Sequence, residues 1–258
     1  MDIAAIRRLF DRQMRVDAPP DAGTGSVEAV GPIVRVVSDN GWNGVRYSDL
    51  TDTTADAVIA AEAAYFAARG VTCEWKLYSH DQPADLPDRL MRAGFTGGEP
   101  EAHLVAELGD TPRHVTAPDG VGLSVVTDEA GVVAAAGVHH RVFGGDLTQI
   151  TASYLDQFDH PDVNSIIVAE VDGEPVSAAR LELTPGTRFA GFWGGATLPQ
   201  WRRRGIYRAL VAYRAKIAHD RGYRYGYVDA LPTSEPILRR LGFHRIGTTV
   251  PFTLEATR

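Results

Sequence analysis

Within QWRRRGIYRAL, residues 200–210, three consecutive arginines run into a single glycine and an apolar helical pattern starts at once. Such a stretch has three physical uses: a basic patch for nucleic acid, a cradle for phosphate, or the charged first turn of a helix. A helix that starts after a short loop binds anions, because its first amides lack intrahelical partners and the macrodipole adds partial positive charge. Gly205 lets an anion approach the backbone with no Cβ in the way. Arg202, Arg203, Arg204 and Arg208 add charge, although side chains this exposed are equally served by solvent. The spacing excludes a P-loop, which needs G-x-x-x-x-G-K-[ST], and a dinucleotide fingerprint, which needs G-x-G-x-x-G. A net charge of -7 argues against a broad nucleic-acid footprint, so no nucleic-acid partner is expected.

The elements that must position this loop are legible from periodicity. A strand is predicted over 188–197 and a helix over 205–220, whose Ile206, Leu210, Tyr213 and Ile217 recur at helical spacing. Gly222 ends that helix; a strand over 223–228, a short helix over 234–241 and a strand over 245–254 follow. Upstream, a strand at 122–126 leads into a helix capped near Asp128 and running to about 142. A helix over 147–158 and strands at 165–171 and 176–184 come next, the strands joined by turn-rich DGEP and TPGT. The first half reads as an amphipathic helix over 3–15 carrying Ile6, Leu9, Phe10 and Met14, then a Pro/Gly loop at 17–25. Strands at 33–37 and 45–47 join through Asp39-Asn40-Gly41, followed by a helix at 55–69, a strand at 72–78, a short helix at 87–93 and a strand at 103–108. This order gives an α/β (α+β) class with a mixed central β-sheet flanked by helices.

The chain is long enough for a sizeable core, as one large domain or two modest ones. Hydrophobic residues make up 44% and charged residues 23%, an ordinary globular balance. Cys73 is the single cysteine, so neither an intramolecular disulfide nor a zinc ligand set is expected, and no metal. With no apolar run of membrane-spanning length and no signal-peptide pattern, a cytoplasmic protein with no membrane partner is expected. The polar, turn-rich GDTPRHVTAPDG marks a linker, which divides the chain into 1–108, 109–121 and 122–258. Segments 68–95 and 219–243 repeat one order of helix end, strand, loop, short helix and Gly-Phe. That order fits a duplicated half, with independent βα units as the other reading.

TLPQWRRRGIYRALV, residues 197–211, resembles the acyl-CoA motif of the GNAT superfamily of N-acetyltransferases, with Arg202, Gly205 and Tyr207 at its marked positions. PILRRLGF, residues 236–243, is similar to the superfamily's distal helix and Leu-Gly-Phe ending. The resemblance implies a GNAT fold from 122 to 254, with the first half a degenerate second copy, as in tandem members. It also implies coenzyme A pyrophosphate on the amides of Arg203, Arg204, Gly205, Ile206, Tyr207 and Arg208. The pantetheine arm would pair with backbone at Ala196, Thr197 and Leu198, between two splayed parallel strands. Ser234 is expected either to bond the arm or to cap its own helix. Tyr207 departs from the motif's small residue, and Leu238 stands where many members carry a tyrosine acid.

The implied reaction is acetyl transfer from acetyl-CoA, a co-substrate, to a primary amine of a small molecule, peptide or protein by direct attack. The alternative is an acyl-CoA-binding or regulatory module without turnover. Amine acylation needs a proton acceptor, and there are three candidates: Asp229, which closes its strand at the expected thioester end, Tyr227 two residues earlier facing the same cleft, and Glu182 on a strand beside the central one. His139-His140 sits on a predicted helix near the same mouth, and Gly144-Gly145-Asp146 reads as a lid.

Overall fold

The computed structural model describes residues 1–17, 19, 25–38, 41–111 and 117–256. Much of the loop expected at 17–25, the turn residues Asp39 and Asn40, and residues 112–116 of the expected linker lie outside these. Helix α1 (Ile3–Phe10) buries Ile6 and Phe10, then continues as a π-helical turn, Asp11–Val16, which buries Met14 and Arg15. Strands β1 (Ser26–Val30), β2 (Ile33–Val37) and β3 (Gly44–Ser48) precede helix α2 (Ala55–Arg69), which Gly70 ends in a left-handed conformation. Strand β4 (Cys73–Tyr78), helix α3 (Leu86–Arg92), and strands β5 (Thr96–Gly97), β6 (Glu101–Glu107) and β7 (Val121–Val125) follow. Helices α4 (Glu129–Phe143) and α5 (Leu147–Phe158) come next, capped by Asp128 and Asp146, whose carboxylates accept from Gly131 and Gln149 amides. Strands β8 (Asn164–Val171), β9 (Glu174–Leu183) and β10 (Phe189–Thr197) lead to helix α6 (Ile206–Asp220). Strand β11 (Tyr225–Ala230), helix α7 (Glu235–Arg240) and strand β12 (His244–Leu254) complete the order.

The chain divides into two compact units. The first holds 1–104, 229–233 and 245–258; the second holds 105–228 and 234–244. The expected boundaries at 109 and 122 divide the chain differently, because β12 pairs antiparallel with β4 from Thr249↔Tyr78 to Leu254↔Cys73. In the first unit the strand order is β1-β2-β3-β4-β12-β6, around a core of Val45, Ile59, Phe66, Trp75 and Leu90. In the second it is β6-β11-β10-β9-β8-β7.

Each unit contains the same motif. Parallel β3 and β4 are joined by α2 and followed by α3 and Gly94-Phe95. Parallel β10 and β11 are joined by α6 and followed by α7 and Gly242-Phe243. The strand after Gly94-Phe95 is the short β5, which pairs with β12, and the strand after Gly242-Phe243 is β12 itself, which joins β4.

In the second unit the sheet faces are covered differently. Val132, Ala135, Val138 and Tyr154 of α4 and α5 pack on Ile166, Val168, Ala178 and Ala196. Ile206 of α6 packs on Ala169 and on Val176, the residue left out of register where the β8–β9 ladder shifts between Ala169 and Glu170. Among the described residues no helix is long and apolar enough to cross a membrane.

Candidate active site

Strands β10 and β11 pair over only three residues each, Phe189↔Tyr225, Ala190↔Gly226 and Gly191↔Tyr227. Past Gly191 the ladder stops, and β10 runs on to Thr197 through a bulge between Trp193 and Ala196. Gly194 takes φ 58 at that bulge, a left-handed conformation that glycine adopts without penalty. On the β9 side, Ser177 Oγ donates to the Ala196 carbonyl at 2.5 Å, and the Leu198 amide donates to the Val176 carbonyl at 3.0 Å. Those two backbone groups expected to hold the arm are therefore engaged with β9. Strand alternation turns the backbone of Thr197 the opposite way.

Past Thr197 the chain makes a short 3-10 turn, Pro199–Trp201, and Arg202 Nε folds back onto the Thr197 carbonyl at 3.0 Å. Arg203 and Gly205 both take positive φ, 63 and 86, so this loop turns its backbone repeatedly before α6 begins. Successive amides in such a left-handed alternation converge into an anion-binding concavity. The first intrahelical bond runs from Ala209 to Gly205 at 3.0 Å, so the amides of Ile206, Tyr207 and Arg208 precede it. A Cβ on Gly205 would meet only Pro118 Cγ at 3.7 Å; conformation rather than crowding selects glycine here. Arg203 and Arg208 are exposed, and Arg204 stacks on Trp201 at 4.5 Å. The matching crossing in the first unit has no such loop. There Thr51 and Thr54 bond one another before α2, and Asp52 and Asp56 pair with Arg89.

Tyr207 leaves the cradle and points onto the α6 face of β10. A Cβ built on Gly195 would stand 2.7 Å from its Cε2. The Tyr207 hydroxyl bonds Ser234 and Arg214. Ser234 makes no side-chain cap on α7. Burial raises the Tyr207 pKa, which Arg214 and Ser234 only partly offset. Arg214 is 1% exposed and donates to the carbonyls of Leu210, Arg180 and Trp193. Burial pushes its guanidinium down to about 10. Leu238 is buried beneath α7.

The α4/α5 face carries a second group of side chains. Glu182, Gly191 and Tyr227 stand in one cross-strand row, with glycine between the two candidate residues. Tyr227 is buried and meets Trp193 edge-on at 5.3 Å. Farther along β10, at the bulge, a Cβ on Gly194 would lie 3.1 Å from Arg180 Nε, 3.3 Å from Tyr154 Oη and 3.5 Å from His139 Nδ1. Tyr154 Oη and His139 Nδ1 share a hydrogen bond at 3.1 Å.

Asp229, expected as a base, falls in the first unit and is a poor one. Its carboxylate sits 2.5 Å from Lys76 Nζ and 2.7 Å from His103 Nδ1, with its side chain 3% exposed. Burial pushes its pKa up, but Lys76 and His103 outweigh burial and hold it well below the usual carboxylate range. A carboxylate so stabilised takes a proton poorly.

Two features escaped the reading of the sequence. Arg214 lies on the apolar stripe of α6, eight residues after Ile206, and a charge at such a position is the available signal. Gly194-Gly195 inside a strand is the signal for the bulge. Among the described residues no group of three His, Cys, Asp or Glu is placed to hold a metal ion.

No curated protein matches the sequence. Three solved structures share the fold along nearly the whole chain. A GCN5-related N-acetyltransferase from Kribbella flavida superposes with a TM-score of 0.70 at 20% identity, covering 97% of this chain and 93% of that one. A tandem GNAT protein from the clavulanic acid biosynthesis pathway gives 0.63 at 13% identity, covering 94% and 86%. A GCN5-related N-acetyltransferase from Sphaerobacter thermophilus gives 0.63 at 13%, covering 88% and 82%. The family model described as the acetyltransferase (GNAT) family matches residues 129–245, which contain the parted strands, the arginine loop and α6. Residues 129–245 of this chain are an acetyltransferase domain of the GNAT family.

Proposed function

We propose that the chain moves an acetyl group from acetyl-CoA to a primary amine by direct attack. The observation that carries this is the parting of β10 from β11 after Gly191–Tyr227 beside the amides that open α6. The amides of Arg203 to Arg208 hold the pyrophosphate, with exposed arginine side chains as supporting charge. The Thr197 amide and the open edge of β10 pair with the pantetheine arm, which carries the thioester toward the Gly194-Gly195 bulge. Tyr227 and Glu182 border the acceptor on the α4/α5 face. Leu238 offers no proton, and the hydroxyl that replaces the tyrosine acid comes from α6: Tyr207, steadied by Ser234 and Arg214. Its raised pKa keeps that hydroxyl protonated at neutral pH, ready to donate to the departing thiolate.

Calorimetric titration with acetyl-CoA should give saturable binding; no heat at millimolar ligand overturns the reading. The second reading, a binding module without turnover, is favoured by the tyrosine ring that fills the space over Gly195. Steady thiol release with any amine excludes it.

A further inference from the structure

The side chains gathered at the β10 bulge point to a proton acceptor outside the row of Glu182 and Tyr227. We infer that His139 accepts the proton of the attacking amine, oriented by Tyr154; this rests on the acyl-transfer reading above. The ladder between β10 and β11 is closed at Gly191–Tyr227, so Glu182 sits in the row where the strands are still joined. His139 sits where they are open. Its Nδ1 lies 3.5 Å from the Cβ position of Gly194, beside Arg180 Nε at 3.1 Å and Tyr154 Oη at 3.3 Å, and glycine there leaves room for all three at the bulge.

The imidazole is held in place on several sides. Tyr154, itself 2% exposed, bonds Nδ1 at 3.1 Å, and the Phe143 ring packs on the imidazole at 4.8 Å. With its proton on Nδ1, the ring donates to Tyr154 Oη and presents Nε2 as the basic nitrogen. The charged group facing it from β9 is Arg180, whose guanidinium lies over the Tyr154 ring at 5.1 Å; Tyr154 is the titratable group facing it from α5. Burial first, and Arg180 second, lower the His139 pKa, so the ring is neutral at neutral pH. In the step itself the amine lone pair forms the N–C bond to the thioester carbonyl carbon and the C–S bond breaks. The ammonium proton passes to His139 Nε2, and the thiolate takes its proton from Tyr207.

The test measures thiol release from acetyl-CoA by the full chain with glucosamine, spermidine and a lysine peptide, alongside calorimetric binding of acetyl-CoA. His139→Gln should lower kcat about 100-fold or more, within the ~10²–10⁴ range of acid–base catalysis, with acetyl-CoA affinity changed less than about 3-fold. Tyr154→Phe should lower kcat about 10-fold while retaining the acidic limb of the pH profile. Arg180→Gln should move that limb to higher pH, because removing a nearby cation favours the imidazolium. A His139→Gln enzyme that binds acetyl-CoA and keeps the wild-type rate and limb overturns the inference alone. Wild-type protein that binds acetyl-CoA yet releases no thiol with any amine overturns the transfer reading and this inference with it.

Discussion

The Tyr207 ring occupies the space a side chain on Gly195 would need: a Cβ there would stand 2.7 Å from its Cε2. The pair couples the first turn of α6 to the β10 bulge, and the tyrosine hydroxyl extends the coupling to Ser234 and Arg214. Gly195→Ala should displace the ring, lowering stability by about 1–3 kcal/mol as overpacking does and reducing thiol release more than tenfold. Thermal melts and steady-state kinetics on the same preparation check both.

Tyr207→Phe keeps the ring and removes only the hydroxyl. We expect kcat to fall about 10- to 100-fold with little change in acetyl-CoA affinity. In the wild type the acid form of Tyr207 is lost as pH rises through its raised pKa, so the rate declines only at strongly alkaline pH. The variant should lack that decline. An alkaline limb unchanged in Tyr207→Phe would assign the thiolate's proton to solvent.

Gly205 has φ 86, so Gly205→Val should distort the loop through its backbone conformation. A left-handed conformation costs an ordinary residue about 1–2 kcal/mol, and a β-branched one more. Acetyl-CoA affinity should fall about 10-fold or further, read by calorimetry. Arg204→Gln, which removes a charge stacked on Trp201, should cost less than about 5-fold.

Asp229→Asn tests whether that carboxylate serves structure or chemistry. Its folded pKa lies below the reference value of 3.8, so the stability it contributes is present above that value and is lost as pH falls through the lower folded value. At neutral pH the substitution leaves Lys76 and His103 facing an uncharged amide and should cost about 3–5 kcal/mol. The difference in melting temperature from wild type should shrink in acid. Loss of thiol release in fully folded Asp229→Asn protein would return this residue to the bases.

What the sequence displayed was local. Asp128 before an apolar run, Gly70 after one, and the arginine–glycine step before α6 each act on neighbours within a few residues, so their effect is visible along the chain. The mixed sheet flanked by helices followed from the order of those elements. Partners chosen across long separations were not visible. Nothing near Asp229 announces His103 or Lys76, and nothing near Gly194 announces a histidine on α4 or a tyrosine on α5. Strand β5 was missed because two residues establish no alternation, and β1 because it is mostly exposed and carries no buried apolar face. Strand membership in the two units is the largest such case, since pairing of β12 with β4 joins segments far apart in sequence.

That pairing sets an order of assembly during synthesis. Residues 105–228 leave the ribosome before β12 exists, so most of the second unit's sheet is available while the first unit still lacks the strand that sits between β4 and β6. The half made first is finished last. A premature stop just before His244 would therefore injure the amino-terminal unit, exposing the edge of β4, while sparing the arginine loop and the bulge.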